Sequence, residues 1–552
     1  MELQLPERKK PDSSAFNTNP EAVRKWVEDL PLVNTDRACS LLEGALDEMN
    51  TLDIPAQQRL LALEQIATPV MHVTAALNKR FTGKPIPLGG KDLESSSRAI
   101  ALCDRMATGY KILASDLYHQ NKPAAQLATA IHRAMRYLSE VLLVSYQVYT
   151  QYPEGLWNDI HSLYDLAEQR HLESRLIVDT GAYTSADKIG VLYKQILLLS
   201  LACPYRLRPT EIRLVYNALA NWASASELST ADKASASASF AVNLLSDDPP
   251  SYRELNTEVA PGRQWRILDT STMAELMRTA ISAQTGTHGE HRDMPDAETM
   301  HRLMLTWGVM PKRKFARHSR DAAIKLVIGL NSVHRVLAAP EPVHQHLEEG
   351  IEEKISDHEY LQDPTFVGMT TFSVRRHVTT EPASGNNSVQ PAASIKSWKQ
   401  VDMSAGGYCL LGDREAAGSA RVGELIATAI TDADADADAA GQWQLGVIRR
   451  MKVTPAQELE LGIQMLSPGA HAIWVWIHRN KSRTMNKLQG ISLPEIMAIK
   501  QQATLILPSM PFRVGSTVSI DKNGRKEKVE LTRQLENTGS FAQYHFGPPT
   551  GT

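Results

Sequence analysis

From residue 21 onward the chain shows apolar positions at helical spacing. Val23, Trp26, Val27 and Leu30 stand at i, i+3, i+4 and i+7. Ala38, Leu41, Leu42, Ala45 and Met49 repeat the pattern behind a candidate N-cap at Asn34 or Asp36. Leu127, Ile131, Met135, Leu138 and Leu142 predict a longer helix over roughly 123–150. Trp157, Ile160, Tyr164 and Ala167 predict the next. Each set places one apolar stripe on one face. Breaks fall at TGKPIPLGG (82–90), NKP (121–123), QYPEG (151–155) and CPYRLRPTE (203–211). Residues 21–305 are therefore expected to form an α-helical domain, in one or two parts, behind a loose polar tail over 1–20. No repeat period near 34 holds across it. The Ser/Ala-rich stretch 223–239 reads as a weak helix or a flexible link. HGEHRDMPDAET (288–299) reads as a loop.

Near residue 310 the pattern shifts to short β-favouring runs. IKLVIGL (324–330), YCLLG (408–412), WQLGVIRRM (443–451), ELGIQML (460–466) and HAIWVWIH (471–478) come first. ATLILP (503–508), STVSI (516–520), KVELTRQL (528–535) and AQYHF (542–546) follow, with turns at SPG, DKNG and NTG. Strands at this spacing predict barrels or sandwiches. The expected fold class is α+β multidomain: an all-α N-terminal domain, a β-barrel over 306–480 with an insertion at 336–396, and a second β-rich domain over 490–552. The insertion is expected to hold a helix at 341–357 and a polar loop at 379–394.

Composition narrows the function. A net charge of −3 over 552 residues argues against general nucleic-acid binding, which needs a basic footprint. Four scattered cysteines, Cys39, Cys103, Cys203 and Cys409, give no CxxC or Cys/His spacing, so neither a zinc site nor a disulfide framework is expected. The start, MELQLPERKKPDSS, has no apolar signal core. Apolar runs such as VLLVSYQVY (141–149) and ILLLSLAC (196–203) are too short to cross a bilayer. A cytoplasmic protein without a membrane span is expected.

Local chemistry stands out in two places. MPKRKFARHSR (310–320) carries Lys312, Arg313, Lys314, Arg317 and Arg320 without an acid. Arg313 and Arg317 form R-x-x-x-R, and a guanidinium binds two phosphate oxygens and stacks on a base. DMSAGG (402–407) offers Asp402 as an acceptor for the N1–H and N2–H of guanine, Ser404 as a hydroxyl, and Gly406 and Gly407 for a tight turn and close approach. Together they describe a site for a guanine nucleotide. Other candidates are weaker. TDADADADAAG (431–441) lacks the glycine and terminal glutamate of an EF-hand loop and reads as a solvated loop. The pairs His288/His291 and His344/His346 lack acidic or cysteine partners, and no metal site is expected. No HExxH, GxSxG, Walker A or GxGxxG pattern is present, and PLGGKD (87–92) lacks the Walker spacing. A non-enzyme is expected. Arg449 and Arg450 lie in a strand and read either as added positive potential or, more simply, as one facing solvent and one marking a strand edge, and Trp443, Trp474 and Trp476 read as core or barrel wall.

RKFAR (313–317) ahead of a strand, DMSAGG as D/N-x-S-x-x-G, and GVIRRMKVTPAQELELGIQML (446–466) as later strands resemble the PilZ-domain family, in an atypical form with a long insertion. The resemblance spans about 310–480, with 84 residues between Arg317 and Asp402. It implies a six-stranded barrel that binds cyclic di-GMP. On that resemblance Arg313 and Arg317 would hold phosphate and stack on guanine, and Asp402, Ser404 and Gly407 would contact the other side. Arg317 and Arg320 are the shifted alternative for the arginine pair. The resemblance implies a cyclic di-GMP receptor, and the position of 310–320 between the helical and β regions leads to the expectation that the helical domain passes the signal to a protein partner through ordering of that segment. The rival reading is a degenerate PilZ-like scaffold that binds partners without nucleotide.

Overall fold

The computed structural model describes residues 3–120, 123–177, 188–231, 240–253, 264–286, 294–308, 317–338, 395–404, 406–413, 417–418, 420–430, 443–467, 469–477, 487–495, 497, 501–522 and 524–549. The chain divides into two units, Met1–Lys312 and Arg313–Thr552.

The first unit begins with eight helices: α1 (Pro20–Glu28), α2 (Thr35–Asn50), α3 (Ala56–Phe81), α4 (Gly90–His119), α5 (Ala124–Gln147), α6 (Leu156–Gln169), α7 (Ile189–Leu201) and α8 (Pro209–Trp222). Asn34 caps α2 by accepting from the Arg37 N–H at 3.2 Å, which satisfies one of the open amides of the first turn. α5 is buried along nearly its whole length, beyond the single apolar stripe that its sequence shows, and carries His132, Arg133 and Arg136 into the interior with it. Among the described helices α3 alone is long and apolar enough to cross a membrane by length and composition. Its Leu63, Ile66, Val70, Val73 and Leu77 are fully buried in the helical core. The polar segment before α1, expected to be loose, is tied down. Gln4 N–H donates to Asp159 at 3.1 Å, Arg8 forks onto Asp116 at 2.8 and 2.9 Å, and Lys9 bridges Leu52.

After α8 comes a sheet that periodicity did not announce. It comprises β1 (Glu227–Thr230), β2 (Phe240–Asn243), β3 (Ser251–Tyr252) and β4 (Trp265–Asp269), in the order β1-β4-β2-β3. These strands are two to five residues long, too short for alternation to register in the sequence. α9 (Met273–Gly286) and α10 (Ala297–Gly308) end the described part of this unit.

The second unit holds two closed six-stranded antiparallel barrels. β5 (His318–Ile328), β6 (Lys396–Ser404), β7 (Gly407–Gly412), β8 (Leu425–Ile430), β9 (Gln444–Val453) and β10 (Leu459–Ser467) close in the order β10-β7-β6-β5-β8-β9. α11 (Leu330–Ala338) follows β5 directly. The insertion expected at 336–396, its helix at 341–357, the aspartate run and both histidine pairs lie largely or wholly outside the described residues. β11 (His471–Ile477), β12 (Lys487–Leu493), β13 (Thr504–Pro508), β14 (Thr517–Lys522), β15 (Arg525–Asn537) and β16 (Phe541–Gly547) form the second barrel, in the order β11-β12-β13-β16-β15-β14. HAIWVWI, read from sequence as the end of the first barrel, pairs with β12 and β14 in the second.

Closure removes every sheet edge, so each barrel hides its backbone polar groups without an outside partner. The first barrel is filled by side chains such as Trp398, whose ring lies where a Cβ on Gly412 would come within 2.4 Å. The second packs Val475, Leu505, Val518, Leu531 and Tyr544 at its centre. A third cluster lies between the barrels: Leu330 and Val333 of α11, Leu425, Ala427, Leu445 and Val447 of the first, and Ile491, Leu493, Ile506 and Phe541 of the second. His334 adds a bond from α11 to the Ile473 carbonyl at 3.0 Å.

Candidate functional site

The two sequence motifs meet at the start of β5 and the β6–β7 hairpin. Antiparallel pairing sets Ser319 opposite Asp402 and His318 opposite Met403. The ladder is irregular on both sides of this point. The β5–β6 register shifts between Ser319 and Ala322, and the β6–β7 register shifts between Gln400 and Asp402. Such bulges turn side chains out of the ladder's ordinary directions, and here they fall at Arg320 and Asp321 of β5 and at Val401 of β6, the residue just before Asp402.

Arg317, just ahead of β5, donates from Nη1 to Asp402 Oδ2 at 2.7 Å. The arginine is half exposed and the aspartate side chain 24% exposed, so the pair is screened by water and contributes at most about 1 kcal/mol. The other carboxylate oxygen, Oδ1, is shielded from solvent and has no hydrogen-bond partner among the described residues. A buried acceptor left so costs free energy that a donor would return. Arg320 reaches Met403 Sδ at 3.6 Å and makes no ion pair among the described residues. Arg313 lies outside the described residues.

Ser404 donates from its hydroxyl to the Gly407 carbonyl at 3.0 Å, across the hairpin turn. Gly406 accepts from the Met465 N–H at 3.1 Å, which binds the turn to β10. Gly407 is required by packing. A Cβ there would lie 2.0 Å from the Ile463 carbonyl oxygen, so β7 and β10 approach closely only because no side chain intervenes. Cys409 sits opposite Asp402 on β7, and burial, with Glu460 and Asp402 nearby, pushes its thiol up to about 12. It stays a neutral thiol at neutral pH and has no thiolate chemistry there.

The structure thus brings Arg317, Arg320, Asp402, Ser404 and Gly407 to one end of the first barrel. Sequence reasoning missed Met403 and the β10 segment around Gln464, which pairs with Gly407. Met403 stands inside the quoted motif at a position that specifies no residue type, and Gln464 carries no local signal because barrel closure alone brings β10 beside β7. Arg449 and Arg450 are both paired. Arg449 holds Gln464 at 2.7 Å and Glu536 at 2.8 Å, and Arg450 binds Glu460.

A closed six-stranded barrel with an arginine at its first strand facing a D-x-S-x-x-G hairpin defines a PilZ domain, and the chain belongs to the PilZ-domain family. More narrowly, three family models match it in succession. Residues 21–234 match the model described as the N-terminal domain of the cyclic-di-GMP receptor FimW. Residues 239–385 and 369–472 match its middle PilZ domain, and 473–548 its C-terminal β-barrel domain. The chain is also similar to the protein named cyclic-di-GMP receptor FimW from Pseudomonas aeruginosa. The two are 27% identical over 579 aligned positions, which cover 99% of this chain and 93% of that relative.

Proposed function

We propose that this protein is a cytoplasmic receptor for cyclic di-GMP, that the nucleotide binds at the mouth of the first barrel, and that the helical unit carries the output to a protein partner. The observation that carries the reading is the Arg317–Asp402 pair, which joins the two motifs at one point and leaves Asp402 Oδ1 without a donor among the described residues. The likeness to a protein named as a receptor for this nucleotide supports it.

In the free protein the guanidinium rests on its own carboxylate. The ligand supplies a better partner to each. Its phosphates take the forks of Arg313 and Arg317, with Arg320 as the alternative second arginine. A guanine edge presents N1–H and N2–H to Asp402, filling the open acceptor. Ser404 is engaged across the turn, so it shapes the hairpin and offers the ligand only its remaining lone pairs. Gly407 shapes the wall of the site rather than touching the ligand. The cost of opening an exposed ion pair is small beside two charge-assisted bonds. Residues 310–320 join the two units in sequence, so binding there restrains the chain that links sensor to output.

The test is calorimetric titration of the full chain with cyclic di-GMP, beside Arg317→Ala and Asp402→Ala. Loss of a charged hydrogen bond at the site should cost about 1.5–3 kcal/mol, roughly tenfold or more in affinity. Micromolar or tighter binding weakened by both substitutions supports the receptor. No heat, with no shift in melting temperature, removes it and favours the nucleotide-free scaffold. Limited proteolysis tests the output step: saturating nucleotide should protect 305–322, and unchanged cleavage there would remove that step.

A further inference from the structure

A polar chain runs from the hairpin of the proposed site into the second barrel. Gly407 pairs with Gln464 on β10. Gln464 Oε1 accepts from Arg449 Nε at 2.7 Å. Arg449 Nη2 donates to Glu536 Oε2 of β15 at 2.8 Å, and Nη1 bonds the other carboxylate oxygen. Glu536 is 7% exposed, so this bidentate pair is far drier than the Arg317–Asp402 pair at the ligand end.

Two bulges aim these side chains. Across β9 and β10, Arg450 faces Gly462 and Ile448 faces Ile463, which leaves Arg449 as the extra residue between two pairs. Across β15 and β16, Gln534 faces Tyr544 and Glu536 faces Gln543, which leaves Leu535 as the extra residue just before Glu536. A bulge frees a side chain from strict alternation. Here one in each barrel turns an arginine and a glutamate toward each other. The neighbouring Arg450 shows the ordinary outcome, a pair with Glu460 inside its own barrel.

We infer that Glu536, acting through Arg449 and Gln464, is a positioning residue for the nucleotide site, so that the first barrel needs the second to hold its ligand hairpin in the binding geometry. The inference rests on the receptor reading above. Fixing Arg449 at both ends fixes the Gln464 side chain, and Gln464 lies on the strand that receives Gly407 and the Gly406 carbonyl. The hairpin then cannot drift from β10. Released from Glu536, Arg449 would swing to water, and the hairpin carrying Asp402 and Ser404 would lose its backing.

The experiment compares four full-length proteins by calorimetry with cyclic di-GMP and by thermal melting: the natural chain, Glu536→Gln, Gln464→Leu and, as a control, Arg450→Gln. Glu536→Gln and Gln464→Leu should weaken binding about five- to tenfold, the low end of ordinary coupling between sites. Arg450→Gln also breaks an ion pair on β9 but should bind as the natural chain does. The charge exchange Arg449→Glu with Glu536→Arg should recover part of the lost affinity, which a merely destabilised barrel would not. If Glu536→Gln fails to fold, Gln464→Leu decides alone, since it leaves the ion pair intact. Natural-strength binding by Gln464→Leu, or equal losses in Arg450→Gln, would overturn the inference. Absence of binding by the natural chain would overturn the receptor reading instead.

Discussion

Gly407→Ala separates the two meanings a motif glycine can have. If the position served only the ligand, the substitution would weaken binding and leave stability alone. The structure requires otherwise. The new methyl would sit 2.0 Å from the Ile463 oxygen, 3.0 Å from its carbonyl carbon and 3.2 Å from Gln464 Cα. All three are backbone atoms, so no rotamer change relieves the clash. β7 and β10 must part by more than an ångström at a point where the barrel closes. That separation disrupts the Gly407–Gln464 pairing and the Met465 N–H to Gly406 carbonyl bond. Overpacking of about 1–3 kcal/mol, with about 1 kcal/mol for a lost hydrogen bond, gives a cost of about 2–4 kcal/mol. For a unit of this size that lowers the midpoint of its transition by about 5–15 °C. Differential scanning calorimetry of the full chain reads it. Gly469→Ala is the matched control, because among the described residues its Cβ would meet nothing nearer than Pro494 at 3.8 Å. A Gly407→Ala transition within 1–2 °C of the natural protein would refute the close-approach argument and return the glycine to the ligand.

The helical unit offers two further tests. Lys111 Nζ and Asp159 Oδ2 form a pair at 2.5 Å with both side chains 5% exposed, and burial raises the carboxyl above its usual range. Lys111→Met should destabilise this unit by about 3–5 kcal/mol in urea unfolding, because it strands a buried carboxylate, whereas Lys111→Met with Asp159→Leu should regain most of that; equal losses in both proteins would contradict it. His161 bonds the Tyr193 hydroxyl at 2.7 Å and the Asp248 carbonyl at 3.0 Å, which makes Nε2 the protonated nitrogen and Nδ1 the acceptor. Burial lowers its pKa to about 4 against an ordinary 6.5. The unfolded chain binds the proton first, so stability is whole above pH 6.5 and falls as pH drops from 6.5 toward 4, by about 2–4 kcal/mol for this group. His161→Gln should flatten that part of the profile in unfolding titrations, and an unchanged slope would assign the loss to other groups.

Regular elements were legible where one face is buried and the run is long enough to show a period. ELGIQML and KVELTRQL alternate and fall within β10 and β15. Leu127 to Leu142 repeat at helical spacing and lie in α5. β6 escaped notice because it reads KSWKQVDMS, with only Trp398 and Gln400 facing inward, and one of those is polar. β11 is legible as a strand but reads as the end of the first barrel, since alternation tells which face is buried and not which neighbour covers it. The motif pair was legible because each half is local, and the β5–β6 register then set Ser319 against Asp402. The Arg449–Glu536 pair was not, because its partners stand 87 positions apart and meet only through two barrels that have already closed.

Three residues separate the end of β10 from the start of β11. With so short a tether, and with Phe541, Ile491 and Leu493 pressed against Leu425 and Leu445, the two barrels share one interior surface. The first barrel is therefore not a cassette. Moved alone into another protein, or left behind by a stop codon near residue 470, it would present its half of that surface to water and associate with whatever apolar face it met. A donor for domain grafting has to be cut before Arg313 and keep both barrels. The unit that can be moved intact is the pair.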